Sequence, residues 1–370
     1  MCGLIGSRVS DKSKFEAIKH RVQDALGTLT HRGPDAMGLQ SDKNHGLILG
    51  HTRLSIFDLS ETGNQPMVSQ SGQSQLIYNG AIYNYLELRE DLMTKGVVFR
   101  GTSDTEVLLE CLQKYGTSCL EKLRGMFAFA FWDNREKTLI LARDRVGKKP
   151  LYYSQNKEGF FFASEINTLA TYVPTESLDI NHAALDDYLS WGYIGGANTI
   201  YKGIHCLPPG CFLILDSQNQ VKIKPYWKPN WQSDSSIKAS DISQRTEEIL
   251  QEAVKIRLRA DVPVGVLLSG GIDSGLVTAM AAKVSSKPIS TFCVGLENSD
   301  LDERTPAREI AKLFKTDHHE IILKPDISGQ LGKMLFSYGQ PFADSSAIPS
   351  FFVSEFASKS IKVVLNGDGG

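Results

Sequence analysis

The hydrophobic pattern of this 370-residue chain changes character once, between residues 225 and 245. Up to about residue 225, short segments of alternating apolar and polar side chains are separated by turns rich in Gly, Asn and Asp. Beyond that point, apolar strands alternate with helical segments. A period of two predicts half-buried strands, whereas a strand–helix–strand order predicts a parallel, doubly wound sheet. We therefore expect two domains of different architecture.

The first half is predicted to form layers of antiparallel sheet covered by helices. Alternation in the apolar run after Gly125 places Phe127, Phe129 and Phe131 on one face of a strand. The predicted strands are Gly46–Leu59, Gly125–Trp132 and Thr138–Arg143, and the predicted helices are Lys14–Leu29, Tyr85–Lys95 and Asp104–Tyr115.

A polar segment at 227–243, with a proline and several serines, is predicted to link the two halves. The second half then alternates helix and strand. We predict helices over Gln244–Arg259, Ser274–Val284 and Glu303–Phe314, with strands over Val264–Leu268 and Ile289–Val294.

The composition is that of an ordinary globular protein, with 41% hydrophobic and 22% charged residues. Forty basic and 42 acidic residues leave a net charge of −2, so nothing favours a nucleic acid or an anionic membrane as partner. The longest apolar run, Met126–Trp132, is too short to span a bilayer. The first residues show no basic region followed by an apolar region, so we do not expect a secretory signal. Six cysteines without a CxxC pair predict a reduced, cytoplasmic protein.

Cys2 directly follows the initiator methionine. Removal of Met1 would place a thiol and a free α-amine on one residue. The amine ordinarily titrates near ~7.7–8.0 and the thiol near ~8.5, so the amine could serve as general base for the thiol. Position alone favours the simpler interpretation, an incidental cysteine in a frayed terminus.

A second candidate site follows the predicted strand Val264–Leu268, where the sequence is Ser269-Gly270-Gly271-Ile272-Asp273-Ser274. Glycines at a strand-to-helix turn let backbone N–H groups approach a polyanion at a helix N-terminus. Asp273 could hold Mg²⁺ against phosphate oxygens. No Gly-Lys-Ser/Thr follows, so this is not a Walker A loop. The alternative is an ordinary turn that contains two glycines.

Together, these two motifs resemble the glutamine-hydrolysing asparagine synthase family. The loop Ser269–Ser274 is similar to the pyrophosphate-binding loop of adenylating ATP pyrophosphatases. The resemblance implies a class II glutamine amidotransferase domain at 1–226, with an αββα N-terminal-nucleophile sandwich. After the linker at 227–243, it implies a doubly wound ATP-pyrophosphatase domain at 244–370. That domain is expected to be truncated, because the chain ends straight after a predicted strand.

For the first domain, the resemblance implies that Cys2 attacks the side-chain amide of glutamine. Arg53 then corresponds to the ligand of the substrate α-carboxylate, Asn79 and Gly80 to the oxyanion hole, and Asp104 to the ligand of the α-ammonium. The residues alone also allow simpler interpretations. Arg53 could be an exposed arginine in a strand, Asn79-Gly80 could be a turn, and Asp104 could be a helix N-cap or first-turn acid. The full set implied for glutamine binding is Arg53, Leu54, Ser55, Ile56, Phe57, Asn79, Gly80, Ala81 and Asp104.

For the second domain, the resemblance implies ATP and Mg²⁺ as cofactors and aspartate as the second substrate. Aspartate would be converted to β-aspartyl-AMP, and ammonia would displace AMP. Asp273 would be one Mg²⁺ ligand, with the second expected beyond Gly370. The implied ATP-binding residues are Leu268, Ser269, Gly270, Gly271, Asp273, Ser274, Val294, Asn366 and Gly367. The resemblance also allows for a homodimer.

Two positions depart from the family pattern. Ala81 stands where the family usually has a glutamate that helps to hold the substrate ammonium, and Asn366 stands where it has a serine. The segments His31–Asp35 and Arg143–Tyr153 also match family motifs, and we interpret them mainly as structural turns. Two alternatives remain: an amidotransferase acting on another carboxylate, and a non-catalytic sensor of glutamine or nucleotide.

Overall fold

The structure is a computed structural model that describes residues 1–232, 238–296, 302–323 and 328–368. Its contacts divide the chain into two compact units. The first comprises Met1–Pro229 with Tyr338–Ala343, and the second comprises Asn230–Ser337 with Asp344–Gly370. No described helix combines the length and apolar character needed to cross a membrane.

The first unit is built from short strands and five α-helices. Its strands are β1 (Gly3–Val9), β2 (Ala36–Asp42), β3 (Leu47–Arg53), β4 (Met67–Val68), β5 (Ser74–Ile82), β6 (Gly125–Asp133), β7 (Thr138–Arg143), β8 (Tyr152–Asn156), β9 (Gly159–Ala163), β10 (His205–Cys206), β11 (Cys211–Leu215) and β12 (Val221–Pro225). Its helices are α1 (Phe15–Gly27), α2 (Tyr85–Thr94), α3 (Asp104–Tyr115), α4 (Ile166–Tyr172) and α5 (His182–Trp191).

These strands form two six-stranded antiparallel sheets, as the alternating pattern predicts. The first sheet has the order β10-β8-β9-β1-β3-β2, and the second has the order β12-β11-β7-β6-β5-β4. In the second sheet, Tyr78 of β5 lies opposite Phe129 of β6. The neighbouring pair, Asn79 with Ala128, points to the other face because the side-chain period of a strand is two.

Three hydrophobic clusters define the layers of this unit. Leu4 and Leu49 of the first sheet pack with Ile77 and Ala128 of the second, which closes the space between the sheets. A second cluster joins α1 and α4 to the outer face of the first sheet. A third joins α2 and α3 to the outer face of the second sheet, where Phe127, Phe129 and Phe131 lie as predicted. The unit is therefore an αββα sandwich.

The second unit alternates helices and strands. Its described elements are α6 (Ala239–Arg257), β13 (Val264–Leu267), α7 (Ile272–Val284), β14 (Ser290–Leu296), α8 (Arg304–Phe314), β15 (Asp317–Leu323), α9 (Ser328–Tyr338), α10 (Ala347–Ser358) and β16 (Val363–Leu365).

The strands of this unit form a four-stranded parallel sheet of order β15-β14-β13-β16. Helix α10 packs against Phe292 of β14 on one face of the sheet, whereas α8 packs against Cys293 of β14 on the other. Helices on both faces of a parallel sheet confirm the predicted doubly wound architecture.

Two predicted boundaries lie at least five residues from the observed ones. The strand predicted over Gly46–Leu59 ends at Arg53, and residues 54–59 form a loop that passes through a positive φ of 51° at Asp58. The helix predicted from Gln244 begins at Ala239, so the last part of the predicted linker is helical. Residues 233–237 of that linker lie outside the described residues, as do Gly369 and Gly370 of the predicted terminal motif.

Candidate active sites

Cys2 lies immediately before β1 and is held at its thiol and at its carbonyl. The Leu54 N–H donates to Sγ at 3.4 Å, and Sγ lies 3.8 Å from the Leu54 carbonyl oxygen. The Nε of Arg32 donates to the Cys2 carbonyl oxygen at 3.0 Å. Burial raises the pKa of the Cys2 thiol, and the Leu54 N–H acts in the opposite direction. The thiol of this half-buried residue is thus held against the main chain of Leu54.

Arg32 belongs to the His31–Asp35 segment, whose role the sequence suggested was mainly structural. Its guanidinium is buried, and Nη1 donates to Glu165 Oε1 at 2.7 Å. His31 Nε2 reaches the same oxygen at 3.0 Å. Although burial opposes ionisation of Glu165, the hydrogen bonds from His31 and Arg32 lower its pKa. The segment therefore holds the main chain of Cys2 through a side-chain contact, in addition to forming a turn.

Asn79 lies in β5 and is 1% exposed. In the described part of the chain, its side-chain Nδ2 has no hydrogen-bond acceptor. A buried amide donor without a partner is costly, so this group is a candidate contact for a ligand atom or a water molecule. The next residue, Gly80, has no room for a side chain, because a Cβ would meet the carbonyl oxygen of Met126 and the ring of Tyr78.

Asp104 is the first residue of α3 and is 3% exposed. Its Oδ2 accepts hydrogen bonds from the Tyr78 hydroxyl at 2.8 Å and the Ile82 N–H at 2.9 Å. Burial raises the pKa of Asp104 to about 6 despite these bonds. Ser103, not Asp104, is the N-cap, since its Oγ accepts from the Glu106 N–H at 3.2 Å. The ammonium contact predicted for Asp104 remains a prediction.

Arg53 is the last residue of β3, and its guanidinium is hydrogen-bonded to the loop that follows. Nη1 donates to the Ser60 carbonyl at 2.7 Å and to Asn64 Oδ1 at 2.8 Å, while Nη2 donates to the carbonyls of Phe57 and Asp58. Four of its five N–H groups are therefore engaged. The bidentate grip on a carboxylate implied for Arg53 is not available in this conformation, so such a role requires these bonds to be exchanged.

The other predicted glutamine-binding residues lie in this loop or in β5. The Ser55 N–H donates to Asp35 Oδ2 at 2.7 Å, and the Phe57 ring packs at 5.3 Å from that of Tyr85. Ile56 lies between Ser55 and Phe57 in the sequence of this loop. Ala81 is 5% exposed and lies two residues after Asn79, so both side chains are on the same face of β5. At this position the face carries a methyl group and no charge.

Lys149 is a residue of this site that the sequence did not single out. It lies in the β7–β8 loop, and its side chain is 6% exposed. Burial, followed by the positive charge of Arg32, lowers the pKa of Lys149 to about 8, while Cys2 acts in the opposite direction. The only sequence signal was its place in the Arg143–Tyr153 motif, which does not reveal burial.

The second unit contains a cavity of about 370 Å³ at the carboxyl ends of its parallel strands. Ligand sites of open α/β sheets lie at this edge. The cavity is also bordered by Asp368, Glu303 and residues of α10. Of the predicted ATP-binding residues, it is lined by Leu268, Ser269, Gly271, Asp273, Ser274, Val294, Asn366 and Gly367.

The glycine-rich loop between β13 and α7 is held by two serines. The Ser274 hydroxyl accepts from the Ser269 N–H at 3.2 Å and is 2.9 Å from the Ser269 hydroxyl. Gly270, the ninth predicted residue, does not line the cavity. Its φ of +78° and the closeness of Pro306 account for the glycine at this position. The loop delivers the N-terminus of α7 to the cavity.

Three carboxylates line this cavity and could hold a metal ion together with a phosphate, those of Asp273, Glu303 and Asp368. Mg²⁺ is commonly bound by one or two carboxylates plus substrate phosphates and water, so this donor set fits it. No cluster of three or more His, Cys, Asp or Glu with metal-binding geometry occurs among the described residues. The side-chain amide of Asn366 donates to Asp368 Oδ2 at 2.6 Å. Asn366, which stands where the family usually has a serine, is therefore hydrogen-bonded to one of these carboxylates.

Comparison with known proteins agrees with this division. Residues 1–227 match the family described as the glutamine amidotransferase domain, and residues 245–370 match the family described as asparagine synthase. The chain is 36% identical over its full length to a putative glutamine-hydrolysing asparagine synthetase of Methanocaldococcus jannaschii, of which it covers 74%.

Two further relatives are longer than this chain. Asparagine synthetase 1 of Bacillus subtilis is 34% identical over all of this chain, which spans 58% of it. The amidase chry2 of Gibberella zeae is 32% identical over 95% of this chain, and the alignment covers 54% of the amidase. The class defined by these matches is a glutamine amidotransferase domain followed by an asparagine synthase domain. The chain belongs to the glutamine-hydrolysing asparagine synthase family.

Proposed function

We propose that the chain provides the glutamine-hydrolysing half and the nucleotide-binding part of an asparagine synthase. Glutamine would be cleaved at Cys2, and the ammonia would aminate an aspartyl-adenylate made from aspartate and ATP. The observation that carries the proposal is the buried Asn79 amide, whose donor is unused, in the same sandwich as the fixed thiol of Cys2. Acyl transfer requires a nucleophile and a hydrogen-bond donor that is available to stabilise the oxyanion.

The first reaction would begin once Met1 is removed, which frees the α-amine of Cys2. That amine takes the thiol proton, and Sγ attacks the side-chain carbonyl carbon of glutamine. The negative charge that develops on the carbonyl oxygen is met by the Asn79 amide and the N–H of Gly80. The protonated amine then returns its proton to the leaving nitrogen, so ammonia departs and a thioester forms. Water, deprotonated by the same amine, hydrolyses the thioester to glutamate and restores Cys2.

The second reaction would take place at the cavity of the parallel sheet. We propose that the Ser269–Ser274 loop and the N-terminus of α7 bind the β- and γ-phosphates of ATP. The carboxylate of aspartate attacks the α-phosphorus and pyrophosphate leaves, after which ammonia displaces AMP to give asparagine. Mg²⁺, held by Asp273, would neutralise charge on the phosphate oxygens. The cytoplasmic location and the homodimer also stay proposals.

The glutaminase proposal is tested by measuring glutamate release from glutamine with the purified chain. Intact-mass measurement of the N-terminus must show loss of Met1. Activity in the processed protein that disappears in Cys2→Ala supports the proposal. Because Cys2→Ala retains the α-amine, equal activity in that variant would refute a role for the thiol.

A second candidate is amination of another carboxylate, since a relative of similar identity carries a name other than asparagine synthetase. The two acceptors are distinguished by glutamine-dependent pyrophosphate release with aspartate and with a panel of other carboxylic acids. A third candidate, a non-catalytic sensor, is supported by Ala81 and Asn366. It predicts glutamine or nucleotide binding without turnover, which calorimetry beside the glutamate assay would detect.

A further inference from the structure

His51 lies in β3 and directs its side chain into the space between the two sheets of the first unit. It shares this face of the strand with Leu47 and Leu49, whose side chains belong to the cluster between the sheets. The residue is only 1% exposed. Its Nε2 lies 3.0 Å from the carbonyl oxygen of Tyr78 in β5, a strand of the opposite sheet. Because a carbonyl oxygen only accepts, Nε2 carries the ring proton and donates it.

The other ring nitrogen of His51 has no partner. No described residue forms a hydrogen bond with Nδ1, although this atom is buried. Burial lowers the pKa of His51 to about 3, so the imidazole is neutral near pH 7. An apolar side chain at this position would avoid the cost of a buried polar ring. The contact with the Tyr78 carbonyl is therefore the feature of His51 that needs an explanation.

The Tyr78 carbonyl lies on an edge of β5 that no described strand covers. The neighbouring strand β4 pairs only with Gln75 and Leu76, so the pairing on this side stops before Tyr78. Side chains take the place of a strand. Gln65 Oε1 accepts from the Tyr78 N–H at 2.6 Å, and His51 donates to the carbonyl oxygen of the same residue. Both main-chain groups of Tyr78 are thus held by side chains.

The N–H of Gly80 lies on the same edge, two residues further along β5. Gly80 is paired with Phe127 of β6. The N–H of Phe127 donates to Asp144 Oδ2 at 3.2 Å, and its carbonyl accepts from the Asp144 N–H at 2.8 Å, on the β7 side of β6. The main-chain groups of Gly80 therefore point away from β6, towards the uncovered edge. Beyond them, the Ile82 N–H is held by Asp104 Oδ2 at 2.9 Å. The strand is thus fixed on both sides of the Gly80 N–H.

We infer that His51 is a positioning residue of the oxyanion hole, which it holds through the peptide group that joins Tyr78 to Asn79. The inference rests on the proposed glutaminase function and adds a residue to it. The Tyr78 carbonyl and the Asn79 N–H belong to one planar peptide group. A hydrogen bond from the opposite sheet fixes this plane, and with it the origin of the Asn79 side chain and the position of the Gly80 N–H. Donors that are fixed beforehand need no reorganisation when charge develops on the substrate oxygen.

The test uses two variants that place an amide donor at different points of the side chain. His51→Gln has an amide nitrogen as many bonds from the backbone as Nε2, whereas His51→Asn has it at the position of Nδ1. Only the glutamine variant can still donate to the Tyr78 carbonyl. Thr52→Val is the matched control, because it removes a buried hydrogen bond, from Oγ1 to the Leu29 carbonyl at 3.0 Å, on the other face of β3. Glutamate release is measured after mass spectrometry has shown loss of Met1 in each variant.

We expect His51→Asn to lower kcat about 10- to 100-fold with little change in KM, because a small misplacement at the reacting centre has effects of this size. His51→Gln and Thr52→Val should both keep most of the wild-type kcat. In the Asn79→Ala background the effect of His51→Asn should shrink, since two changes to one set of donors are not additive. Equal kcat in His51→Asn and an active wild type would overturn the inference.

Two further outcomes separate positioning from packing and from failure of the proposed function. A His51→Asn variant that loses stability in urea but keeps the wild-type kcat would contradict the inference and make His51 a packing residue. A wild-type chain that loses Met1 yet releases no glutamate would refute the glutaminase and the inference together. If His51→Asn does not fold by circular dichroism, His51→Leu gives the same comparison with His51→Gln, because it also lacks a donor.

Discussion

The side chain of Arg32 donates from Nε to the main-chain carbonyl oxygen of Cys2 at 3.0 Å, while its Nη1 is held by Glu165. This pair of contacts positions the main chain of Cys2, the proposed nucleophile, from a loop 30 residues away. The Cys2 thiol is contacted by the Leu54 N–H and not by Arg32. We therefore predict that replacing the planar guanidinium of Arg32, which makes both contacts, affects the chemical step more than substrate binding.

Arg32→Lys is therefore expected to lower kcat for glutamine hydrolysis about 10- to 100-fold, because a small misplacement of a reacting group has effects of this size. KM should change little. Arg21→Lys is the matched control, since Arg21 also donates to a glutamate, Glu158 at 2.6 Å, but belongs to the surface of α1. Steady-state kinetics that show equal kcat in the two variants would contradict the positioning role.

Asn79→Ala is expected to lower kcat about 100- to 1,000-fold, the usual cost of removing one oxyanion-hole donor. The substrate carbonyl carries little negative charge in the ground state, so KM should stay within a few-fold of the wild-type value. Because Nδ2 has no partner among the described residues, the substitution leaves no broken protein hydrogen bond on that donor. A large loss of stability with unchanged kcat would assign Asn79 a structural role.

Ala81→Glu should lower the glutamine KM and leave kcat similar, because the new carboxylate would face the substrate ammonium. Ala81 lies on the face of β5 that carries Asn79, so the carboxylate would enter the same side of the strand. Ala81→Gln controls for size without charge. Initial-rate measurements that give the same KM for the glutamate variant and the wild type would refute this account of the departure.

Local sequence signals predicted much of this fold. The helix Asp104–Tyr115 was predicted with its observed bounds, and in the structure Ser103 caps its start and Gly116, with a φ of 57°, ends it. The alternation of side chains along β6 correctly predicted that Phe127, Phe129 and Phe131 share one face of the strand. The start of α6 was missed, because the residues from Ser240 to Ser243 are mostly polar and lie on an exposed part of the helix.

The site was harder to predict than the fold, because its properties arise from contacts distant in sequence. Arg53 was predicted to bind the substrate α-carboxylate, yet its guanidinium donates four hydrogen bonds to the loop that follows β3. Nothing in the local sequence marks Lys149 as buried. The order of motifs along the chain indicated which residues to consider, but not which of them are already hydrogen-bonded.

Gly80→Ala is expected to destabilise the first unit by about 1–3 kcal/mol, as overpacking of a close contact does. The added Cβ would meet the Met126 carbonyl oxygen and the Tyr78 ring, so β5 and β6 would have to separate. Gly27→Ala is the control: at the exposed end of α1, nothing lies within 4 Å of the new Cβ. That variant should gain up to about 1 kcal/mol. Urea unfolding that ranks the two variants in the opposite order would contradict the packing argument.

The glutamine affinity should depend on pH through Asp104. If Asp104 binds the substrate ammonium, it must be ionised, and its pKa is raised to about 6 by burial. Lowering the pH through that value protonates the carboxyl, so KM should rise about tenfold for each pH unit below it. Above pH 7 the carboxyl is charged and KM should be level. Asp104→Asn should give a high KM that is independent of pH between about 5 and 7.5. A wild-type KM that stays constant as the pH falls from 7 to 5 would show that Asp104 serves only the Tyr78 and Ile82 contacts.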